Sequence, residues 1–240
     1  MAISFTNKHN LWVYYIIPAI ANMLIFSGLA YLFFIFGNNI SLWLEDFLPT
    51  RSLDNTWLTI IDIFLRGFIY IFLLLFYLKT YRFVMLILLS PALSMLSEKV
   101  QELSQNTTPR PFNISQLLHD ILRGIRISFR NLFIEIAFTL LLSVIGIIFG
   151  FLSPITTICI IVIESYFLGF SMIDYRNEFM QISASNSQKM IWKYKGFSVG
   201  IGFFCTLILF IPVLGVLVAP LLAVTAAGLG VNVLENESKV

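Results

Sequence analysis

An apolar stretch near the start of the chain, from Leu11 to Phe36, is too long for the core of a water-soluble domain. It runs for about 26 residues without a formal charge, whereas about 20 helical residues cross a hydrocarbon layer of about 30 Å. The composition agrees, because 58% of the 240 residues are hydrophobic and 12% are charged, too few charges for the surface of a soluble globule. The sequence therefore predicts an all-α integral membrane protein with the lipid bilayer as its solvent.

Scarce residue types argue against several functional classes. The chain has two histidines, two cysteines and a formal net charge of +2. Cys159 and Cys205 both lie in apolar stretches, where a free cysteine behaves as a small hydrophobic side chain. The basic residues are dispersed, so the sequence lacks the electrostatic footprint of a nucleic-acid-binding protein. We therefore expect no enzymatic activity, no metal site, no cofactor and no nucleic-acid partner.

The order of apolar and polar segments predicts one membrane domain over residues 1–240. Arginine and lysine are concentrated between Glu98 and Arg130, and the positive-inside rule places that region in the cytoplasm. An even number of crossings then places both termini in the cytoplasm. The predicted segments are a transmembrane helix over 11–36, a long transmembrane helix reaching into the cytoplasm over 57–96, an amphipathic helix over 116–131, and helical hairpins over 132–172 and 197–233.

Proline interrupts both predicted hairpins, at Pro154 in the first and at Pro212 in the second, with Pro220 following. Proline removes a backbone donor and clashes with the preceding turn, so each position predicts a structural break. The leg over 197–211 has only about 15 residues, which is nearer to a re-entrant segment than to a full span. Two interpretations stay open: broken helices that build a substrate site in the membrane, and ordinary hairpins with proline turns.

Ionisable residues within the apolar segments are candidates for an ion or substrate pathway. Glu164 lies about 15 Å from the basic interface if its segment is helical, and a carboxylate at such depth costs about 3 kcal/mol. Glu135 lies one turn into the preceding leg, and Asp62 and Arg66 are spaced to pair on one helical face. With Arg130, these residues form the candidate pathway. The alternative for Glu164 is a protonated structural glutamate, and the alternative for Glu135 is an acid that favours the helix N-terminus. Asp62 and Arg66 are alternatively anchors at the membrane interface.

Arg123, Arg126 and Arg130 recur on one stripe of the amphipathic helix predicted over 116–131. A helix of this pattern is suited to lie on an anionic membrane leaflet. The same row can face a pore mouth and attract anions, so Arg123 and Arg126 are also candidate anion-attracting residues.

Local stretches in a defined order carry a family resemblance. They are Ile17-Pro18 with Asn22, the stretch from Ser90 to Val100, the arginine-bearing helix from Arg123 to Arg130, Asp174-Tyr175 after the first hairpin, and Phe210-Ile211-Pro212 to Ala219-Pro220 in the second. In this order they resemble the CysZ sulfate permease family and the related etoposide-induced membrane proteins.

The resemblance implies two long transmembrane helices plus two hairpins that enter the bilayer part way, a homo-oligomer, a bacterial inner membrane location and sulfate uptake. Members of that family carry a Gly-Ile/Leu-Arg-type turn before the first span that is associated with sulfate binding. Here Asn10-Leu11-Trp12-Val13 occupies that place, with Lys8 and His9 as the nearby candidate anion-attracting cations. Two functions stay open: a permease for sulfate or a similar small anion, and a non-transporting membrane scaffold or stress-related protein.

Overall fold

The computed structural model describes residues 1–47, 56–105, 114–211 and 214–237, and this part of the chain folds almost entirely into helices. A 3-10 turn, Gly150–Leu152, precedes α6. In chain order the helices are α1 (Ala2–Lys8), α2 (Trp12–Phe47), α3 (Thr56–Leu88), α4 (Ser90–Gln105), α5 (Ile114–Ile148), α6 (Ser153–Phe179), α7 (Ala184–Lys193), α8 (Lys195–Leu209) and α9 (Leu214–Glu237).

Within the described residues, 5 helices are long and apolar enough to cross a membrane, which confirms the predicted all-α membrane fold. The candidate spans are Trp12–Ile40, Arg66–Leu88, Leu122–Ile148, Gly150–Phe179 and Leu217–Glu237. The apolar helix α8 is shorter. Its 15 residues measure about 22 Å, less than the hydrocarbon thickness of about 30 Å.

The long helix predicted over 57–96 is divided in the structure into α3 and α4. The break falls at Leu89, two residues before Pro91. Proline has no N–H to donate, and its ring clashes with the carbonyl four residues earlier, which here is that of Ile87. The Ser90 hydroxyl donates to the Ile87 carbonyl at 2.8 Å and so satisfies the acceptor that the helix leaves open.

The boundary predicted between residues 131 and 132 is absent, because α5 continues through it as one helix of 35 residues. No glycine or proline occurs from Ile125 to Ile145, so nothing in this stretch interrupts the helix. The amphipathic segment and the first apolar leg therefore form one rod. Pro154 lies in the first turn of α6, where a proline loses no intrahelical hydrogen bond.

The chain divides into two compact units, the first made of Met1–Met23 with Leu86–Val240 and the second of Leu24–Met85. In the second unit, α2 and α3 pack through aromatic rings, with Phe26 and Tyr81 edge to face at 5.1 Å between ring centroids. The Tyr77 hydroxyl also donates to the Phe26 carbonyl at 3.1 Å. A cavity of about 350 Å³ lies between the two helices and is lined mainly by apolar side chains.

Small residues hold α6 and α8 together in the first unit. Gly169 on α6 faces the backbone of Ser198, and Gly202 on α8 faces the backbone of Ser165. A Cβ atom on either glycine would overlap the facing carbonyl oxygen. Each helix thus carries a serine and a glycine four residues apart, the pattern by which membrane helices approach closely.

Candidate functional site

Charged, amide and hydroxyl side chains, most of them buried, meet in the first unit at the polar ends of its helices. We call this group the polar cluster. Its members come from α4, α5, α6, α7 and α9. They are Ser94, Gln101, Ser104, Arg123, Asp174, Arg176, Asn177, Glu178, Ser187, Asn232 and Glu235.

Arg176 is the most enclosed cation of the polar cluster, with 1% of its surface exposed. Its Nε and Nη2 atoms donate to Asn232 Oδ1 at 3.3 and 3.2 Å, and its Nη1 atom donates to Asn177 Oδ1 at 3.2 Å. Nη1 and Nη2 also donate to the two carboxylate oxygens of Glu235, at 3.1 and 2.5 Å. All three guanidinium nitrogens are therefore engaged, and Arg176 fastens the end of α6 to the end of α9.

Asn232 extends this contact to α4. Its Nδ2 atom donates to Gln101 Oε1 at 2.9 Å and to Ser104 Oγ at 3.1 Å. Gly228 lies one turn earlier on α9, and a Cβ atom there would be 2.8 Å from Gln101 Nε2. The glycine thus leaves room for the glutamine amide, whose Nε2 atom is buried and makes no hydrogen bond within the described residues.

Arg123 joins α5 to the same cluster. Its Nη2 atom donates to Asp174 Oδ1 at 3.0 Å, and its Nη1 atom lies 3.6 Å from Glu178 Oε2. The Ser187 hydroxyl, on α7, donates to the same Asp174 oxygen. The Ser94 hydroxyl donates to Glu178 Oε1 at 2.6 Å. Both carboxylates are therefore shared between a guanidinium and a hydroxyl.

The formal charges of the polar cluster do not give it a net positive charge that would attract an anion. Two guanidinium groups face three carboxylates, those of Asp174, Glu178 and Glu235. Ion pairs of this kind need hydrogen bonds to their remaining polar atoms to offset desolvation, and the amides and hydroxyls described above supply them. Any attraction for an anion has to come from donors that these pairs leave unused.

A polar row runs from the cluster along α5 into the candidate span. Asn131, Glu135 and Thr139 are spaced four residues apart, so they lie on one helical face over about 12 Å. Asn131 and Glu135 are 1% and 0% exposed. Asn131 Oδ1 accepts from Arg130 Nη2 at 2.9 Å, while its buried Nδ2 atom and the Thr139 hydroxyl make no hydrogen bond within the described residues.

The residues predicted for an ion pathway are divided between the two units. Glu135 and Arg130 lie on α5 and Glu164 lies half-buried on α6, all in the first unit. Arg66 lies half-buried on α3 in the second unit. Asp62 also belongs to α3, but its side chain lies outside the described residues.

The predicted anion-attracting residues have different surroundings. Arg123 is paired with Asp174, whereas Arg126 is exposed. Lys8 is exposed in the last turn of α1, and the His9 ring packs against Phe5 at 4.5 Å between centroids.

The turn between α1 and α2 is set by Asn10, which has a φ of 51°. Asparagine tolerates this left-handed conformation better than most side chains. The turn is tied together by Trp12, whose Nε1 atom donates to Asn7 Oδ1 at 2.6 Å. Among the predicted hairpin prolines, Pro154 is exposed, Pro220 is buried inside α9, and Pro212 lies outside the described residues.

Sequence reasoning did not find Arg176, Asn232 or Glu235. The available signal was weak: Asn232 and Glu235 are three residues apart at the end of an apolar helix, which places them on one face. Their partner Arg176 lies 59 residues before Glu235, and no periodicity connects positions so far apart.

A family model described as sulfate transporter CysZ/etoposide-induced protein 2.4 matches residues 1–220. No curated protein matches the chain. The matched region includes α1 to α8, and with them Arg123, Asp174 and Arg176, but it ends before Asn232 and Glu235. The resemblance inferred from local stretches is confirmed: the chain belongs to the sulfate transporter CysZ/etoposide-induced protein 2.4 family.

Proposed function

We propose that this protein is a permease that carries a small anion across the membrane, with sulfate as the leading candidate. The observation that carries the proposal is a pair of buried amide donors that make no hydrogen bond within the described part of the first unit: Gln101 Nε2 and Asn131 Nδ2. A buried donor left without an acceptor costs about 1–3 kcal/mol. The oxygen atoms of an oxyanion can accept hydrogen bonds from such donors. Hydrogen bonds to a charged acceptor are stronger than hydrogen bonds between neutral groups.

The charge state of two acidic residues decides whether an anion can cross the membrane along this pathway. A sulfate dianion is repelled by an ionised carboxylate, so Glu135 and Glu164 have to be protonated or paired while the anion passes. Asp62, Arg66 and Arg130 belong to the same proposal as pathway residues, and Lys8, His9, Arg123 and Arg126 as residues that attract the anion. The protein acts as a homo-oligomer in a bacterial inner membrane.

Uptake of labelled sulfate into proteoliposomes tests this proposal. Asn131→Asp keeps the Oδ1 acceptor for Arg130 and replaces the Nδ2 donor with a negative charge. Because like charges a few ångströms apart repel by several kcal/mol in a partly buried site, we expect uptake to fall at least about tenfold. Asn186→Asp is the matched control, since it makes the same chemical change at an exposed position on α7. Equal uptake by parent and Asn131→Asp would contradict the role of this donor.

A non-transporting membrane scaffold is the second candidate function. It is favoured by the turn between α1 and α2, where Asn10-Leu11-Trp12-Val13 carries no arginine. Folded protein that gives no uptake above empty vesicles, with sulfate and with other small oxyanions, would establish this alternative and retire the permease.

A further inference from the structure

Basic and aromatic side chains gather where α7 ends and α8 begins. We call this group the basic corner, consisting of Lys189, Trp192, Lys193 and Lys195. All four are exposed, and Trp192 has 60% of its surface accessible. The inference drawn from it does not depend on the proposed transport function.

The positive charge of the basic corner is not neutralised by nearby acids. The sequence contains no aspartate or glutamate between Glu178 and Glu235. None of the three lysines forms an ion pair with a carboxylate among the residues that the structure describes. Lys99 on α4 shows the contrast: its Nζ atom lies 2.8 Å from Glu102 Oε2, and this hydrogen bond raises the pKa of the lysine.

Aromatic rings fix the basic corner in place. The Lys195 ammonium lies 4.7 Å from the centroid of the Trp192 ring, a distance at which a cation is attracted to the ring face. Trp192 in turn packs edge to face on Tyr166 of α6, at 6.0 Å between centroids. Gln188 on α7 accepts from Arg130 Nη1 at 2.7 Å. These contacts pack the corner against α5 and α6.

The position of the corner indicates the depth at which it lies in the membrane. α7 is a short polar helix, whereas α8 is apolar from Phe197 onward, so Lys195 stands at the border between water and hydrocarbon. Tryptophan and lysine are enriched at such borders, where the ring lies at headgroup level and the ammonium reaches the aqueous side. Anionic phospholipids supply a permanent negative charge at this depth.

We propose that the basic corner binds the phosphate headgroup of an anionic phospholipid of the surrounding leaflet. Lys193 and Lys195 pair with the phosphate, and Trp192 packs against the glycerol region beneath it. Lys189, four residues before Lys193 on the same face of α7, adds attraction at longer range.

Lipid binding to the purified full-length protein in detergent tests this proposal, with native mass spectrometry as the readout. The probes are phosphatidylglycerol, phosphatidylcholine and inorganic phosphate. We expect the parent to bind phosphatidylglycerol more tightly than phosphatidylcholine. The double variant Lys193→Gln/Lys195→Gln should weaken phosphatidylglycerol binding by about fivefold per lysine and leave phosphatidylcholine binding unchanged.

Lys99→Gln is the control variant, because it removes a lysine that is already paired, and it should bind both lipids as the parent does. Equal binding of the two lipids by the parent would overturn the proposal, and so would equal phosphatidylglycerol binding by the parent and the double variant. Displacement of phosphatidylglycerol by millimolar inorganic phosphate would also overturn it, since the site would then belong to a free oxyanion. Sulfate uptake does not enter this measurement, so the permease proposal and the lipid proposal fail independently.

Discussion

Two arginines of the first unit allow the energetic role of burial to be measured. Arg176 is enclosed and donates to Asn177, Asn232 and Glu235, whereas Arg126 is exposed. Arg176→Gln removes one partner of a buried pair and leaves amide and carboxylate groups without their donors. Because Glu235 is partly exposed, we expect a loss near the lower end of the range for broken buried pairs, about 3 kcal/mol of unfolding free energy. Thermal unfolding in detergent measures the change.

Arg126→Gln makes the same substitution at an exposed position and should change stability by less than about 0.5 kcal/mol. Similar melting temperatures for the two variants would mean that the guanidinium of Arg176 adds nothing to the cohesion of α6 and α9.

The arginines of α5 show how far residue-level reasoning reaches. Periodicity places Arg123, Arg126 and Arg130 on one stripe, yet the structure gives each a different environment. Arg123 contacts a carboxylate, Arg126 is exposed, and Arg130 contacts an amide group. The difference arises because Asp174, the partner of Arg123, lies 51 residues away on another helix. Spacing along the chain identifies which face a residue occupies, but tertiary packing decides what that face meets.

Close packing of α6 on α8 depends on glycine at their crossing. Gly202→Ala places a methyl group where the Ser165 carbonyl lies, and backbone atoms cannot rotate away as a side chain can. The helices have to separate, which forfeits the dispersion contacts that hold membrane helices together. We expect a loss of about 1–3 kcal/mol, the usual cost of overpacking, measured by thermal unfolding in detergent.

Gly200→Ala, two residues earlier on the same helix, is the matched control. A Cβ atom at Gly200 meets no atom within 4 Å, so the substitution costs no packing. Alanine also favours the helix over glycine by up to about 1 kcal/mol, so the control should be neutral or slightly stabilising. A common response of the two variants would show that helix propensity, and not the crossing, controls stability here.

Helix boundaries set by proline depend on local chemistry, because a ring without an N–H acts on its own turn. A break was predicted at Pro154, which lies in the first turn of α6. The break before Pro91 was missed, since one helix was predicted over 57–96, although the same rule applies there. The junction between residues 131 and 132 was predicted incorrectly from a change in composition alone. A change from polar to apolar residues marks where the environment changes, not where the hydrogen-bonded helix ends.

Over the whole first unit, the polar cluster gathers the ends of several helices at one level. Asn232 contacts Gln101 and Ser104 on α4, and through Arg176 it contacts α6. The C-terminal end of α9 therefore lies beside the C-terminal ends of α4 and α6. This arrangement was not predictable from the sequence, because each contact joins positions more than 50 residues apart.

This arrangement constrains the topology. α8 measures about 22 Å, whereas α9, with 24 residues, measures about 36 Å. Because α9 is the longer leg of the hairpin, it returns to the membrane depth of the first residue of α8 and extends past it. Its end then lies on the side of Lys189, Lys193 and Lys195, which the positive-inside rule assigns to the cytoplasm. We expect the C-terminus to be cytoplasmic, as predicted for the N-terminus.

Reporter fusions after Val240 test this topology in a bacterial host. Green fluorescent protein, which fluoresces when it folds in the cytoplasm, should be bright at this position, and alkaline phosphatase, which matures only outside the cytoplasm, should be inactive. The same pair fused before Met1 should give the same result, because an even number of crossings places both termini on one side. That number stays even whether the hairpin of α8 and α9 stops half way or crosses, since it enters and leaves on one side. Active phosphatase at Val240 alone would mean an odd number of crossings, and α8 and α9 would then not return to the side from which they entered.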